Sequence, residues 1–164
     1  MSSYIHFYIR GEHELLPIWS SSRSSTMYQL FVHEVPYDRV RSISRNELRS
    51  FVDMVENEVK AYESSLEKIE RRRADVREFD NPVDEKIEYL EALDEQEEDY
   101  KEERRAAQRV EEFLRSLRMV QETVTYTEGF DPDKYIYAGV DCWLPSIAEV
   151  DAWERGEEIE DEDE

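Results

Sequence analysis

Acidic side chains are the residues of this chain whose number and spacing point most directly to a chemical role. The segment from Asp84 to Glu103 contains eleven acids and two bases, Lys86 and Lys101, a net charge of −9. On an α-helix, this corresponds to about one net charge every 3.3 Å, close to the charge density of one DNA strand. The segment therefore predicts an electrostatic surface for a basic partner, with some character of a nucleic-acid mimic.

We expect seven of these acids to contact a partner, with aromatic rings elsewhere as apolar anchors, because Tyr and Trp are favoured at protein interfaces. The alternatives are a solvated helix face for the acids and a sheet core for the aromatics. The candidate acids are Asp84, Glu88, Glu91, Asp94, Glu95, Glu98 and Glu102. The candidate anchors are Tyr4, Tyr8, Trp19, Tyr135 and Tyr137.

Residue types used in catalysis and metal binding occur without a recognisable motif. The histidines at 6, 13 and 33 lack the spacing of a zinc site, and Cys142 supplies no paired ligand. The segment Ser20–Ser25 is the one candidate anion site, although a turn and helix cap are the favoured explanation of it. We therefore expect no catalytic residues, no metal, no cofactor and no enzymatic activity. An enzyme that acts on an anionic substrate at Ser20–Ser25 is the competing hypothesis.

Apolar residues in the middle of the chain recur with the period of a coiled coil. From Leu48 to Ile69 they are separated alternately by four and three residues, which is the 3.5-residue repeat of a helical seam. Ser44 and Glu47 form a capping box at the start of this pattern. The pattern predicts a helix from residue 44 to about 79.

A second long helix is predicted from Pro82 to about Val120, because Asn81 suits an N-cap and proline the first helical position. A turn near 80–82 brings together residues whose numbers sum to about 162. In this register residues 59–78 face 84–103, and we expect bases at 71–73 to neutralise part of the acidic segment. The expected pairs are Leu48 with Leu114, Val52 with Val110, Val55 with Ala107, Tyr62 with Tyr100, Ile69 with Leu93, Val76 with Ile87 and Phe79 with Val83.

The two ends of the chain carry strand patterns. Residues 4–10, 14–20, 123–126 and 135–140 are rich in aromatic and β-branched side chains and are separated by turn residues. The fold class is therefore α+β: a small antiparallel sheet of about four strands with one or two short helices, and a long inserted antiparallel coiled-coil helical hairpin. We expect a head domain from 1–43 and 121–155, the hairpin at 44–120 and an acidic disordered tail at 156–164.

Charge and composition disfavour several classes of function. The 164 residues have a net charge of −21, so direct binding to nucleic acid or to an anionic membrane is opposed by like charge. The segment Met1–His6 lacks the pattern of a secretory signal, and the single cysteine permits no internal disulfide. These features predict a cytoplasmic protein.

Three segments give the chain a resemblance to small acidic accessory proteins of bacteriophages. They are Ser3–Arg10, the Ser-Arg-Ser-Ser run at 22–25 leading into Met27–Phe31, and Lys134–Val140. The resemblance implies a host-takeover or anti-defence protein that acts in the host cell cytoplasm by binding a host protein. It supplies no motif of known chemistry and no functional residue.

We therefore expect a protein-binding inhibitor that docks on a host protein complex with a basic surface. The alternative is a structural or assembly protein. In that case two hairpins would pair into a homodimeric four-helix bundle and bury small side chains of their flanks, such as those of Ala61, Ala92 and Ala106.

Overall fold

The structure, a computed structural model, describes residues 3–157 and is an α+β protein with a four-stranded antiparallel sheet and two long helices. Most of the predicted acidic tail, from residue 158 onward, lies outside the described residues. The strands are β1 (Tyr4–Arg10), β2 (Leu15–Ser22), β3 (Arg41–Ile43) and β4 (Ile136–Val140). The helices are α1 (Thr26–Phe31), α2 (Arg45–Glu78), α3 (Val83–Thr127) and α4 (Ile147–Glu154), with a 3-10 turn at Pro132–Lys134.

The sheet has the strand order β2-β1-β4-β3, with each neighbouring pair antiparallel. The prediction of an antiparallel sheet of about four strands is thereby confirmed. β1 lies in the interior of the sheet, with Phe7 opposite Trp19 of β2 and opposite Ala138 of β4. The two ends of the chain are therefore joined through β1 and β4.

The strand predicted at residues 123–126 is wrong, because α3 continues through this segment to Thr127. Val124 is buried three positions after buried Gln121, so burial along one helix face outweighs the strand preference of Thr, Val and Tyr. The Nε2 of Gln121 donates a hydrogen bond of 2.8 Å to the carbonyl of Ile43. This bond explains why a polar side chain occupies a core position.

The fourth strand is instead β3, a segment that the sequence analysis leaves as connecting chain. It pairs with β4, with Arg41 opposite Ala138 and Ile43 opposite Ile136. The two long helices are therefore inserted between the paired strands β3 and β4, whereas the strands predicted at 4–10, 14–20, 123–126 and 135–140 would place them between two β-hairpins. At three residues β3 is too short to show the alternation from which strands are recognised.

Capping side chains lie at the starts of α1, α2 and α4, and the sequence predicts the one at Ser44. The backbone N–H of Glu47 donates to Ser44 Oγ at 3.2 Å, and the Glu47 carboxylate accepts from the Ser44 N–H at 3.4 Å. The same reciprocal box joins Ser146 and Glu149 before α4. Ser25 caps α1 by accepting a hydrogen bond from a backbone N–H. Each cap satisfies N–H groups that have no partner within the helix.

The described chain divides into two compact units. The sheet unit comprises the chain up to Val52 and from Phe113 onward, and the helical unit is Asp53–Glu112. α2 and α3 each contribute residues to both units. Within the described residues, no helix combines the length and the apolar character needed to cross a membrane.

The sheet unit buries both faces of β1. On one face Phe7 meets Phe113 edge-on, with ring centroids 6.0 Å apart. On the other face Tyr8 joins a buried cluster that includes Tyr137 and Val150 of α4. Because the middle of this strand is covered on both faces, His6 and Tyr8 are buried although they alternate with the apolar residues.

Candidate protein-binding surfaces

The acids predicted to bind a partner lie on α3 within the helical unit and all seven are exposed. One of them, Asp94, takes part in an ion-pair network described below. We call the remaining six the acidic face. The acidic face consists of Asp84, Glu88, Glu91, Glu95, Glu98 and Glu102.

Arg73 of α2 is the centre of that ion-pair network. Its guanidinium donates to Asp94 at 2.6 Å and also to Glu70 and Glu97. Lys101 donates to the other Glu97 oxygen at 2.9 Å. Hydrogen bonds from Lys101 and Arg73 hold the pKa of Glu97 below its ordinary value. The network therefore offsets the negative charge of two acids of α3, Asp94 and Glu97.

Of the three consecutive arginines expected to neutralise part of the acidic segment, one does so. Arg73 pairs with α3, whereas Arg71 and Arg72 are exposed. Side chains one and two positions before Arg73 point to other sides of the helix, because successive residues are rotated by about 100°. Most of the negative charge on α3 therefore faces solvent.

Two of the pairs expected between α2 and α3 lie close together in the helical unit, and apolar residues nearer the turn are exposed. The rings of Tyr62 and Tyr100 lie 6.4 Å apart, and Ile69 packs in one buried cluster with Val76 and Leu93. Closer to the turn, Phe79, Val83 and Ile87 of the expected pairs are 46%, 70% and 48% exposed. The helical unit thus carries apolar side chains in solvent beside its acids.

Two grooves flank the exposed ring of Tyr89. The first encloses about 430 Å³ and is lined mainly by apolar side chains, among them Val76, Phe79 and Leu93. The second encloses about 480 Å³ and is lined by Glu85, Glu88, Tyr89 and Ala92. Tyr89 therefore lies between an apolar groove and a groove lined by Glu88 of the acidic face.

Three of the five predicted aromatic anchors are core residues of the sheet unit. Tyr8, Tyr135 and Tyr137 are at most 4% exposed. Tyr8 Oη donates to the Cys142 carbonyl at 2.7 Å and accepts from the Leu144 N–H at 3.0 Å. Burial raises the pKa of Tyr137 to about 12. Tyr8 of β1 and Tyr137 of β4 lie in the covered sheet, and Tyr135 lies just before β4 beside Phe130, so these three rings are not available to a partner.

The other two anchors, Tyr4 and Trp19, are half-buried. Tyr4 lies beside Trp143, with ring centroids 5.5 Å apart. Trp143, Leu144 and Tyr37 are 63%, 64% and 60% exposed, respectively, and the sequence analysis does not select them. In the sequence, these exposed residues are indicated only by the large number of Tyr and Trp. That number does not distinguish aromatic rings of the core from those of the surface.

Backbone strain is concentrated around the exposed Trp143. Among the described residues, the non-glycine residues with positive φ are Asp38, Asp141 and Leu144. A branched side chain such as leucine rarely adopts this conformation. The Asp141 carboxylate accepts a 2.8 Å hydrogen bond from the Tyr4 N–H, which ties this loop to the start of β1.

His6 is buried beneath the same indole ring. Its ring centroid lies 4.1 Å from that of Trp143, Nδ1 is 2.7 Å from Ser20 Oγ, and Nε2 has no hydrogen-bond partner. Desolvation lowers the pKa of His6, and the nearby Asp141 opposes this shift in part. A neutral imidazole in contact with one hydroxyl is typical of a packed structural histidine.

The side chains that the sequence offers for anion binding and for thiol chemistry lie in environments typical of structural residues. Ser25 caps α1, and the neighbouring Ser22 and Ser24 are within hydrogen-bond distance of each other at 3.4 Å. Cys142 is buried, and desolvation raises its pKa to about 11, which disfavours the reactive thiolate. Across residues 3–157 no group of three or more His, Cys, Asp and Glu side chains is placed to hold a metal ion.

Comparison of the chain with protein-family models, with curated proteins and with solved structures finds no match in any of the three.

Proposed function

We propose that this chain is a non-enzymatic binding module that docks through the acidic face of α3 onto a protein with a basic surface. The observation that carries the proposal is the position of these six acids, which are exposed and lie outside the Arg73 network. A concentrated negative surface accelerates association with a basic cleft and opposes binding to nucleic acid itself.

We also infer that α2 and α3 form an antiparallel coiled-coil hairpin that displays this face. The 3.5-residue spacing of apolar residues on α2, the contact between Tyr62 and Tyr100, and the buried cluster of Ile69, Val76 and Leu93 support this arrangement. The ion pairs of Arg73 add polar links between the two helices. A stiff scaffold would keep the acids in a fixed spacing.

The resemblance to small acidic phage proteins supports a host protein, or a host defence complex, as the class of partner. An inhibitor of this type would act in the host cytoplasm and occupy a surface that normally binds a polyanion. In this respect it would behave as a nucleic-acid mimic.

Assembly of the chain with itself is the second candidate function. The exposed apolar side chains of Val83 and Ile87 favour it, because helix bundles form by burying apolar side chains of neighbouring helices. The charge of the same segment opposes it, since two copies would bring a net −9 against a net −9.

Two variants of equal net charge test the proposal. In the first, five acidic-face residues are replaced, and in the control, five exposed acids from outside the segment 84–103 are replaced. Each variant carries −16 instead of −21, because five acids become neutral. The first is Glu88→Gln, Glu91→Gln, Glu95→Gln, Glu98→Gln and Glu102→Gln. The control is Glu12→Gln, Glu14→Gln, Glu34→Gln, Glu63→Gln and Glu128→Gln.

The three immobilised proteins are exposed to a bacterial lysate at low and at high salt, and the retained proteins are identified by mass spectrometry. We expect the wild type and the control to retain the same basic partner at low salt, and the acidic-face variant to lose it. High salt should release the partner, because exposed charges are screened. Equal retention by the two variants would refute the assignment of the acidic face.

A further inference from the structure

The grooves on either side of Tyr89 give the acidic face a feature that electrostatics alone does not require. Val76 and Leu93, at 5% and 7% exposed, form the base of the first groove, while Phe79 and Tyr89 remain 46% and 55% exposed at its walls. Covering such exposed apolar side chains with another apolar group is favourable, because it removes apolar surface from water. The groove therefore has the form of a pocket for one bulky apolar side chain.

The charges around the two grooves indicate the chemistry of the occupant. The charged residues that line them are three acids, Asp75, Glu85 and Glu88, and one base, Arg72. Cationic groups on either side of an apolar side chain would meet these carboxylates while the apolar group fills the groove. Lysine and arginine are suited to such a site, because their aliphatic stems cover apolar surface and their charged ends reach the acids.

A second copy of this chain is a poorer occupant. It would present its own segment 84–103, with a net charge of −9, to the same acids. Like charges placed face to face are destabilising, and an interface must also offset the entropy lost on association. Charge complementarity therefore selects a basic partner over self-association.

We propose that the groove beside Tyr89 binds an apolar side chain of a basic, amphipathic segment of the partner protein. The inference rests on the proposed function and refines it, because it specifies a partner segment with a leucine or aromatic anchor between lysines or arginines. The acids supply long-range attraction and the groove supplies specificity, so two partners of equal charge are distinguished by their apolar residues.

Two synthetic peptides of equal length and equal positive charge test the proposal. In one, lysines alternate with leucine and tryptophan at helical spacing, and in the other the apolar residues are replaced by serine. Their dissociation constants are measured by fluorescence anisotropy with the full chain, with Tyr89→Ser and with Tyr126→Ser. Tyr126 is the matched control, since it lies on the same helix and is 91% exposed.

We expect the wild type and Tyr126→Ser to bind the amphipathic peptide about tenfold more tightly than the serine peptide, a factor equivalent to about 1.4 kcal/mol. Tyr89→Ser should reduce this preference to less than about threefold. Circular dichroism should show the same helicity for all three proteins, because both tyrosines are exposed.

Three results would overturn the proposal, and they separate it from the proposed function. Equal binding of both peptides to the wild type would exclude the groove while leaving the electrostatic docking intact. Binding of neither peptide at low salt would count against the acidic face and the groove together. A dimer of the wild type that dissociates in Tyr89→Ser, seen by sedimentation, would assign the groove to a second copy.

Discussion

Arg73 Nη2 of α2 lies 2.6 Å from Asp94 Oδ1 of α3, and the same guanidinium also contacts Glu70 and Glu97. The Arg73 side chain is half-buried, at 14% exposed, and contacts the acids that it offsets. It is therefore a structural link between the two helices, whereas the acids outside its reach face solvent.

Replacement of Arg73 by Gln should lower the free energy of unfolding by about 1 kcal/mol, because three carboxylates lose a shared cation. Urea denaturation followed by circular dichroism measures the change. The control is Arg71→Gln, on an exposed arginine two positions earlier, which should change stability by less than about 0.5 kcal/mol. Equal losses in both variants would mean that Arg73 acts only through net charge.

Replacement of Tyr8 by Phe should destabilise the sheet unit by about 1–3 kcal/mol, because it leaves the Cys142 carbonyl and the Leu144 N–H without their phenol partner. The loop around Trp143 would lose one of its attachments to β1 while the bonds between Asp141 and Tyr4 remain, so hydrogen exchange at the Leu144 amide should accelerate. Tyr126→Phe, on a ring that is 91% exposed, is the control. Unchanged stability and exchange in Tyr8→Phe would contradict this role.

The imidazole of His6 should titrate with a midpoint below its ordinary pKa of 6.5, because burial disfavours the charged form. The unfolded chain then binds more protons than the folded chain between the two pKa values. The contribution of His6 to folding stability is therefore fully present above about pH 6.5 and decreases as the pH falls through the interval below it. NMR of the histidine ring protons measures the midpoint directly.

The comparison for His6 is a variant, His6→Gln, whose stability should change less with pH between about 7.5 and 5.5 than that of the wild type. A His6 midpoint at or above 6.5 would contradict the effect of burial, as would identical pH dependence of the two proteins.

The parts of the fold that depend on local chemistry can be predicted from the sequence. The capping boxes at Ser44 and Ser146 are present because a hydroxyl and a glutamate three residues later satisfy backbone N–H groups without help from the rest of the chain. The exposed position of the acidic face on α3 follows in the same way, because carboxylates at helical spacing remain solvated.

The parts that depend on tertiary packing could not be predicted in this way. Residues 123–126 have a strand-like composition, but Val124 is buried as part of α3 and Gln121 is held by the Ile43 carbonyl. The burial of Tyr8 and Tyr137 requires that both faces of the sheet be covered, which no pattern within β1 or β4 records. The exposure of Trp143 depends on a loop with positive φ at a leucine.

The most direct test of the central claim compares the two variants of net charge −16 with the wild type for binding to a lysine-rich peptide over a range of salt concentrations. If the arrangement of acids on α3 creates the binding surface, the acidic-face variant should lose about tenfold in affinity at low salt, and the control variant should lose less than about threefold. The salt dependence of the acidic-face variant should also be weaker. Equal affinities and equal salt dependence of the two variants would contradict the account, because net charge alone would then explain the binding.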